Sequence, residues 1–125
     1  MTGESPTGAA DILMMTAPEL DRILRHLARA LPNEGVGLIG VERTERDGLV
    51  IARARQFYPG VNVRASPTRY EMDPYDLMEA LGDIDQKGWT LGAIVHSHPK
   101  GAATPSATDL AEFHYPEALL VIASS

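Results

Sequence analysis

The segment that decides the fold runs from Trp89 to Asp109 and reads WTLGAIVHSHPKGAATPSATD. Its apolar first part predicts a strand that is buried on both faces. This strand leads directly into His96 and His98. Because residues i and i+2 of a strand point to the same face, both imidazoles can reach one point in space. The proline and glycine residues that follow predict a loop.

A serine and an acid end this segment. Ser106 and Asp109 have the S-x-x-D spacing of a helix capping box, which predicts a third helix from Ser106 to about His114. Two imidazoles and a carboxylate also form a ligand set that suits zinc and leaves the fourth tetrahedral position for water. Both interpretations can hold together, and we predict a catalytic type of metal site that contains His96, His98 and Asp109.

The composition narrows the possible classes of protein. The chain has 125 residues and no cysteine, which predicts one domain and excludes disulfides, thiolate metal ligands and cysteine nucleophiles. A net charge of −6 argues against nucleic acid as a partner. Residues 1–15 contain neither a basic n-region nor a long apolar stretch, so we expect a cytoplasmic protein without a membrane partner. We interpret residues 1–15 as a flexible lead-in and residues 16–125 as the domain.

Two amphipathic helices are predicted before the histidine segment. The first begins at the capping-box residue Thr16 and ends near Pro32. His26 lies on its polar side, and we interpret this histidine as structural. Asp73 caps the second helix, which ends at Gly88.

The remaining apolar runs predict strands. Residues 33–41 are rich in glycine, but they lack the Lys-Ser/Thr ending of a phosphate loop and predict a buried strand. Asp47 and Gly48 predict the turn of a hairpin, whose second strand we expect to break at residues 58–60. A last strand is predicted at residues 118–123. The whole pattern predicts an α/β fold, with the first two helices packed on a mixed, curved sheet.

Glu34 stands at the entrance to the strand at residues 33–41. It is either a solvent-exposed end residue or a group held at the mouth of a site, and the general exposure of glutamate favours the first interpretation. Together with HSHP at 96–99 and PSATD at 105–109, Glu34 ahead of a G-x-x-G strand resembles the signature of the JAMM (MPN-plus) zinc metalloproteases. The resemblance extends to RYEMDP at 69–74 and KGW at 87–89 and is greatest to the short prokaryotic branch of the family.

This resemblance implies a JAMM/MPN domain with a cytidine-deaminase-like α-β-α arrangement. It implies that His96, His98 and Asp109 bind one zinc ion, that Glu34 is the general base and acid, and that Ser106 supports the oxyanion. The implied reaction is hydrolysis of the amide bond after the C-terminal glycine of ubiquitin or of a ubiquitin-like sulfur-carrier protein.

Three departures from the family pattern and two alternative functions accompany the resemblance. Val36 stands where relatives often have cysteine, and the family domain usually continues for one or two strands beyond residues 118–123. The insertions by which eukaryotic relatives grip ubiquitin chains are missing from the sequence. A non-catalytic MPN-type interaction module is one alternative. A RadC-like DNA-repair protein is the other, and the acidic balance argues against it.

Overall fold

The computed structural model describes residues 8–103, 105 and 115–124. In these residues the elements are β1 (Ile12–Met14), α1 (Ala17–Ala30), β2 (Val36–Arg46), β3 (Leu49–Gly60), α2 (Pro74–Gln86), β4 (Thr90–His98) and β5 (Leu119–Ser124). The strands form one sheet in the order β1-β3-β2-β4-β5. β2 is antiparallel to both of its neighbours, whereas the two outer pairs are parallel. The predicted α/β class with a mixed sheet is confirmed.

The two helices pack on opposite faces of the sheet, each over its own hydrophobic core. α1 contributes Ile23 and Leu27 to a core with Ile39, Val41, Ala52, Ala54, Phe57, Ala93 and Val95. α2 contributes Ala80 and Ile84 to a core with Val36, Leu38, Met72, Leu91, Ile94 and Ala118. β4 lies between the two cores, and its residues from 91 to 97 are all buried. The predicted burial of this strand on both faces is therefore confirmed.

The helix ends form where the sequence predicts them. Thr16 and Glu19 form the capping box, in which each side chain accepts a hydrogen bond from the main-chain N–H of the other residue. The Asp73 side chain accepts hydrogen bonds from the N–H groups of the first turn of α2. Gly88 follows α2 with a φ of +73°, a left-handed conformation that glycine adopts without strain.

The hairpin is confirmed, but its second strand is longer than predicted. Asp47 and Gly48 both have positive φ, as a two-residue type I′ turn requires. The expected break at residues 58–60 is wrong, because β3 continues to Gly60. The physical reason is the position of Pro59. β1 pairs only with residues 51–53 of β3, so Pro59 lies on an edge within the described sheet, where a missing N–H group is tolerated.

β1 falls within residues 1–15, for which the sequence predicts a lead-in and no strand. Its three residues pair in parallel with β3, and Asp11 fixes the approach through two contacts with Val50. Three residues are too few for a recognisable period of two. The predicted third helix at 106–114 lies outside the described residues. Neither helix in the described part of the chain is long and apolar enough to cross a membrane.

A polar contact fastens α2 to β3. Lys87 and Tyr58 both donate hydrogen bonds to the Asp83 carboxylate, and these bonds lower the pKa of Asp83. Burial, together with the bond to Asp83, raises the pKa of Tyr58. Because the folded pKa of Asp83 lies below its unfolded value, its contribution to stability is present above the unfolded pKa and is lost as the pH falls through the folded one.

A substitution at Gly92 tests how closely β2 and β4 approach each other. A Cβ atom at this position would lie 2.2 Å from Val41 Cγ1, so we expect Gly92→Ala to lower the free energy of unfolding by about 1–3 kcal/mol. The matched control is Gly82→Ala in α2, where a Cβ atom would meet nothing within 4 Å. This control should raise stability by about 0.5–1 kcal/mol. Urea denaturation measures both changes in the free energy of unfolding. A Gly92→Ala protein as stable as wild type would contradict the close contact of Gly92 with Val41.

Candidate metal centre

The pairing of β2 with β4 brings the candidate residues together. Val36 pairs with His96, and the Ser97 N–H donates to the Gly35 carbonyl just beyond the ladder (3.1 Å). One further step in this antiparallel register sets Glu34 opposite His98. Directly opposite residues share a face of the sheet, and Val36 belongs to the core under α2. Glu34 and both histidines therefore lie on the α2 face.

The three side chains converge on one point. One ligand atom from each of Glu34, His96 and His98 lies within 4.8 Å of the other two. The Nε2 atoms of the two histidines are 3.2 Å apart. Two nitrogen ligands of a tetrahedral zinc ion would be about 3.3 Å apart, given metal–nitrogen distances of about 2.0–2.1 Å. The donor set and its spacing therefore fit a zinc-like ion.

Burial distinguishes this cluster from an ordinary group of surface side chains. His96 is fully buried, Glu34 is only 2% exposed, and His98 is half-buried. The interpretation of Glu34 as a solvent-exposed strand end, which the general exposure of glutamate favours, is wrong. Since a carboxylate is costly to bury without compensating contacts, its presence beside two imidazoles is typical of a functional site.

The rings of both histidines are held in place. His98 Nδ1 lies 2.9 Å from the carbonyl oxygen of Ala102. A carbonyl only accepts, so Nδ1 carries a proton, and in the neutral imidazole Nε2 then faces the cluster as an acceptor. Gly101, with a φ of +109°, permits the turn that brings this carbonyl back to the ring. The His96 ring stacks on Tyr70, with centroids 4.3 Å apart and planes inclined by 21°.

Ser97, which lies between the two histidines, is not part of the cluster. Ser97 is buried and points to the opposite face, where its Oγ accepts a hydrogen bond from the Gly35 N–H at 2.8 Å. His26, by contrast, extends from α1 to the Val36 carbonyl (2.9 Å) and packs against Phe57 of the other core. It therefore lies away from the cluster.

The structure thus brings together three of the five residues implied by the resemblance: Glu34, His96 and His98. Ser106 and Asp109 lie outside the described residues, and their roles stay predictions. Sequence reasoning missed Tyr70 as a ring neighbour of His96, although the residue lies in the RYEMDP run. It also missed Asn62, whose side chain donates to the Glu34 carbonyl at 3.0 Å. No local pattern signals a contact between residues so far apart in the chain.

The mixed sheet thus carries a buried glutamate and two histidines on one face. Sequence comparison places the chain that forms this arrangement in a known family. The family model described as prokaryotic homologs of the JAB domain matches residues 16–125. The chain belongs to this family.

Individual relatives agree with the family assignment. The chain is 40% identical over 94 residues to a probable TtuB-protein conjugate cleaving protease of Thermus thermophilus, an alignment that covers 74% of this chain and 57% of that protein. It is 31% identical over 114 residues to a desampylase of Haloferax volcanii, with 90% of this chain and 80% of that protein covered. The chain thus spans a little over half of the Thermus relative.

A solved structure is similar along most of the chain. The solution structure of protein DSY2949 from Desulfitobacterium hafniense matches with a TM-score of 0.69 at 32% identity. The match covers 87% of this chain and 73% of that protein.

The ligand geometry predicts a defined response to one substitution. We expect the wild-type protein to bind one zinc ion and His98→Ala to weaken zinc binding by more than about 100-fold, because it removes a nitrogen donor from the cluster. The control is His26→Gln, which changes a histidine outside the cluster and keeps a donor for the Val36 carbonyl. Competition with a chromophoric chelator measures both affinities. Equal zinc affinity of His98→Ala and wild type would remove His98 from the ligand set.

Proposed function

We propose that this protein is a zinc-dependent metallopeptidase or isopeptidase. Its substrate is a ubiquitin-like or sulfur-carrier protein, and it hydrolyses the amide bond after the C-terminal glycine of that carrier. The observation that carries the proposal is the convergence of Glu34, His96 and His98 within 4.8 Å in a chain of the JAB family. The names of the Thermus and Haloferax relatives support conjugates of ubiquitin-like proteins as the substrate class.

His96, His98 and Asp109 would hold the metal in this proposal. Two imidazoles and one carboxylate form a ligand set that is known from catalytic zinc sites, which keep one position open. When bound, zinc supplies a water activated near neutral pH and a Lewis acid for the scissile carbonyl. With no cysteine in the chain, imidazole and carboxylate groups are the strong metal ligands available.

Glu34 transfers the proton between the attacking water and the leaving amine in this proposal. Its carboxylate takes a proton from the attacking water and returns it to the leaving amine, as a general base and then a general acid. The position opposite His98 sets the carboxylate beside the two imidazoles, and its burial strengthens electrostatic interactions by excluding bulk water. The Ser106 hydroxyl donates a hydrogen bond to the developing oxyanion. A donor of this kind contributes about 3 kcal/mol in comparable sites.

The mechanism predicts a separation between zinc binding and hydrolysis at Glu34. With zinc present, we expect hydrolysis of a ubiquitin-like sulfur carrier whose C-terminal glycine is joined by an amide bond to a lysine side chain. Glu34→Gln should lower kcat by about 10²–10⁴-fold because the amide cannot accept the proton, while zinc is still bound. Mass spectrometry of the released carrier, which should end at its glycine, measures the reaction.

His26→Gln serves again as the control and should retain the wild-type rate. Normal turnover by Glu34→Gln would rule out this mechanism. A wild-type protein that binds no zinc and cleaves no conjugate would instead indicate a non-catalytic interaction module.

A slow variant also identifies the natural substrate. Glu34→Gln should retain uncut conjugates, because binding and the covalent step depend on different groups. Affinity capture with this variant, followed by mass spectrometry, should enrich proteins joined to a ubiquitin-like carrier. The wild-type protein, which releases its products, is the control. Equal recovery of such conjugates by both proteins would contradict the expectation.

A further inference from the structure

Residues 61–73, which we call the Asn62 loop, form a closed unit beside the metal centre. At the base of the loop the Asp73 N–H donates to the Val61 carbonyl (2.7 Å) and the Val63 N–H donates to the Glu71 carbonyl (2.9 Å). Residues 62 and 72 form an antiparallel bridge between these two bonds. The loop connects β3 to α2, and its ends are therefore held by both elements.

The Asn62 side chain uses its full hydrogen-bonding capacity. Its Nδ2 donates to the carbonyls of Glu34 (3.0 Å) and Arg69 (2.9 Å). Its Oδ1 accepts from the N–H groups of Arg64 (3.0 Å) and Glu71 (2.9 Å). Carbonyls only accept and main-chain N–H groups only donate, so the partners fix the orientation of the amide. One of the four bonds leaves the loop, and it ends on Glu34.

The main chain of Glu34 is held by this loop on both sides. Glu34 precedes β2, which begins at Val36, and so lies beyond the ladder that fixes the strand. Its N–H donates to the Ser66 carbonyl (2.8 Å), and its carbonyl accepts from Asn62. The Asn62 loop thus replaces a strand partner for the residue that carries the carboxylate of the cluster.

The same amide also bonds to the main chain next to Tyr70, the residue whose ring stacks on His96. Asn62 bonds to the carbonyl of Arg69, and the next residue, Tyr70, stacks on the His96 imidazole. One NH₂ group therefore connects the main chain of Glu34 to the main chain that precedes Tyr70. A change at this group can move the carboxylate and the stacked ring together.

We infer that Asn62 is a positioning residue, which acts through Glu34 by fixing the main chain of the proposed general base at the metal centre. The inference rests on the proposed function, in which Glu34 transfers the proton. Proton transfer requires the carboxylate within hydrogen-bonding reach of the water, and a displacement of about 1 Å can cost about 100-fold in rate.

Two variants and one control separate positioning from general stability. Asn62→Asp is nearly isosteric and loses both donors but keeps the acceptor. Asn62→Ser is neutral and distinguishes the loss of the donors from a new charge near Glu34. The matched control is Arg64→Gln on the same loop, which removes only an exposed ion pair with Glu71 (3.3 Å).

Hydrogen exchange of the full-length protein, measured by NMR with and without zinc, gives a reading that does not depend on activity. In both Asn62 variants we expect the Glu34 amide to exchange at least about tenfold faster, because its loop opens more often. The Ser97 amide, which donates to the Gly35 carbonyl, should be unchanged, and Arg64→Gln should leave both amides as in wild type. Unchanged exchange at Glu34, or equal acceleration at Glu34 and Ser97, would overturn the inference.

Steady-state kinetics completes the test. For Asn62→Ser we expect kcat to fall by about 10–100-fold, with KM and zinc affinity within about threefold of wild type, because the histidine ligands lie on β4. Full kcat in this variant would overturn the role of Asn62 while the proposed function stands. If the wild-type protein hydrolyses no conjugate, the proposed function fails, and hydrogen exchange still decides whether Asn62 holds Glu34.

Discussion

The pairing of Val36 with His96 is the constraint on which the candidate metal centre depends. Because side chains alternate between the faces of a strand, a slip of one residue would turn both histidines of β4 away from Glu34. The same slip would exchange the residues of β4 between the two cores. Leu91 and Ile94 pack under α2, whereas Ala93 and Val95 pack under α1. Hydrophobic packing on both faces therefore specifies the register, and the register specifies the site.

The candidate metal centre differs from the other buried parts of the chain in the polarity of its side chains. The other buried positions of β2 and β4 hold aliphatic residues, glycine and Ser97, whereas the cluster buries a carboxylate and a fully enclosed imidazole. Such groups lower stability unless other contacts compensate for lost hydration. The main-chain N–H groups of Glu34 and Gly35 donate to Ser66 and Ser97, so the main chain of these two residues adds no unsatisfied donor to that cost. Local conflict of this kind is expected where a sequence serves function rather than folding.

The sequence predicts the parts of the structure that have local signals. His96 and His98 follow an apolar strand at a spacing of two, and both helix starts have recognisable caps. These features can be predicted without knowing which other segment each one packs against. Glu34 has no such signal. Its burial results from a partner strand some sixty residues later, and only the family resemblance distinguishes it from other glutamates. The role of Asn62 is harder still to predict, because its four hydrogen-bond partners do not follow the sequence period of a helix or a strand.

The elements that hold the three side chains differ in rigidity. Both histidines lie on β4, an inner strand paired with β2 and β5 and covered on both faces. Glu34 lies outside the β2 ladder, and a loop with mostly exposed residues supplies its main-chain partners. Segments with few buried contacts open more easily than central strands. The two histidines thus lie on a central strand of the sheet, whereas Glu34, the proposed general base, takes its main-chain partners from a loop outside the sheet.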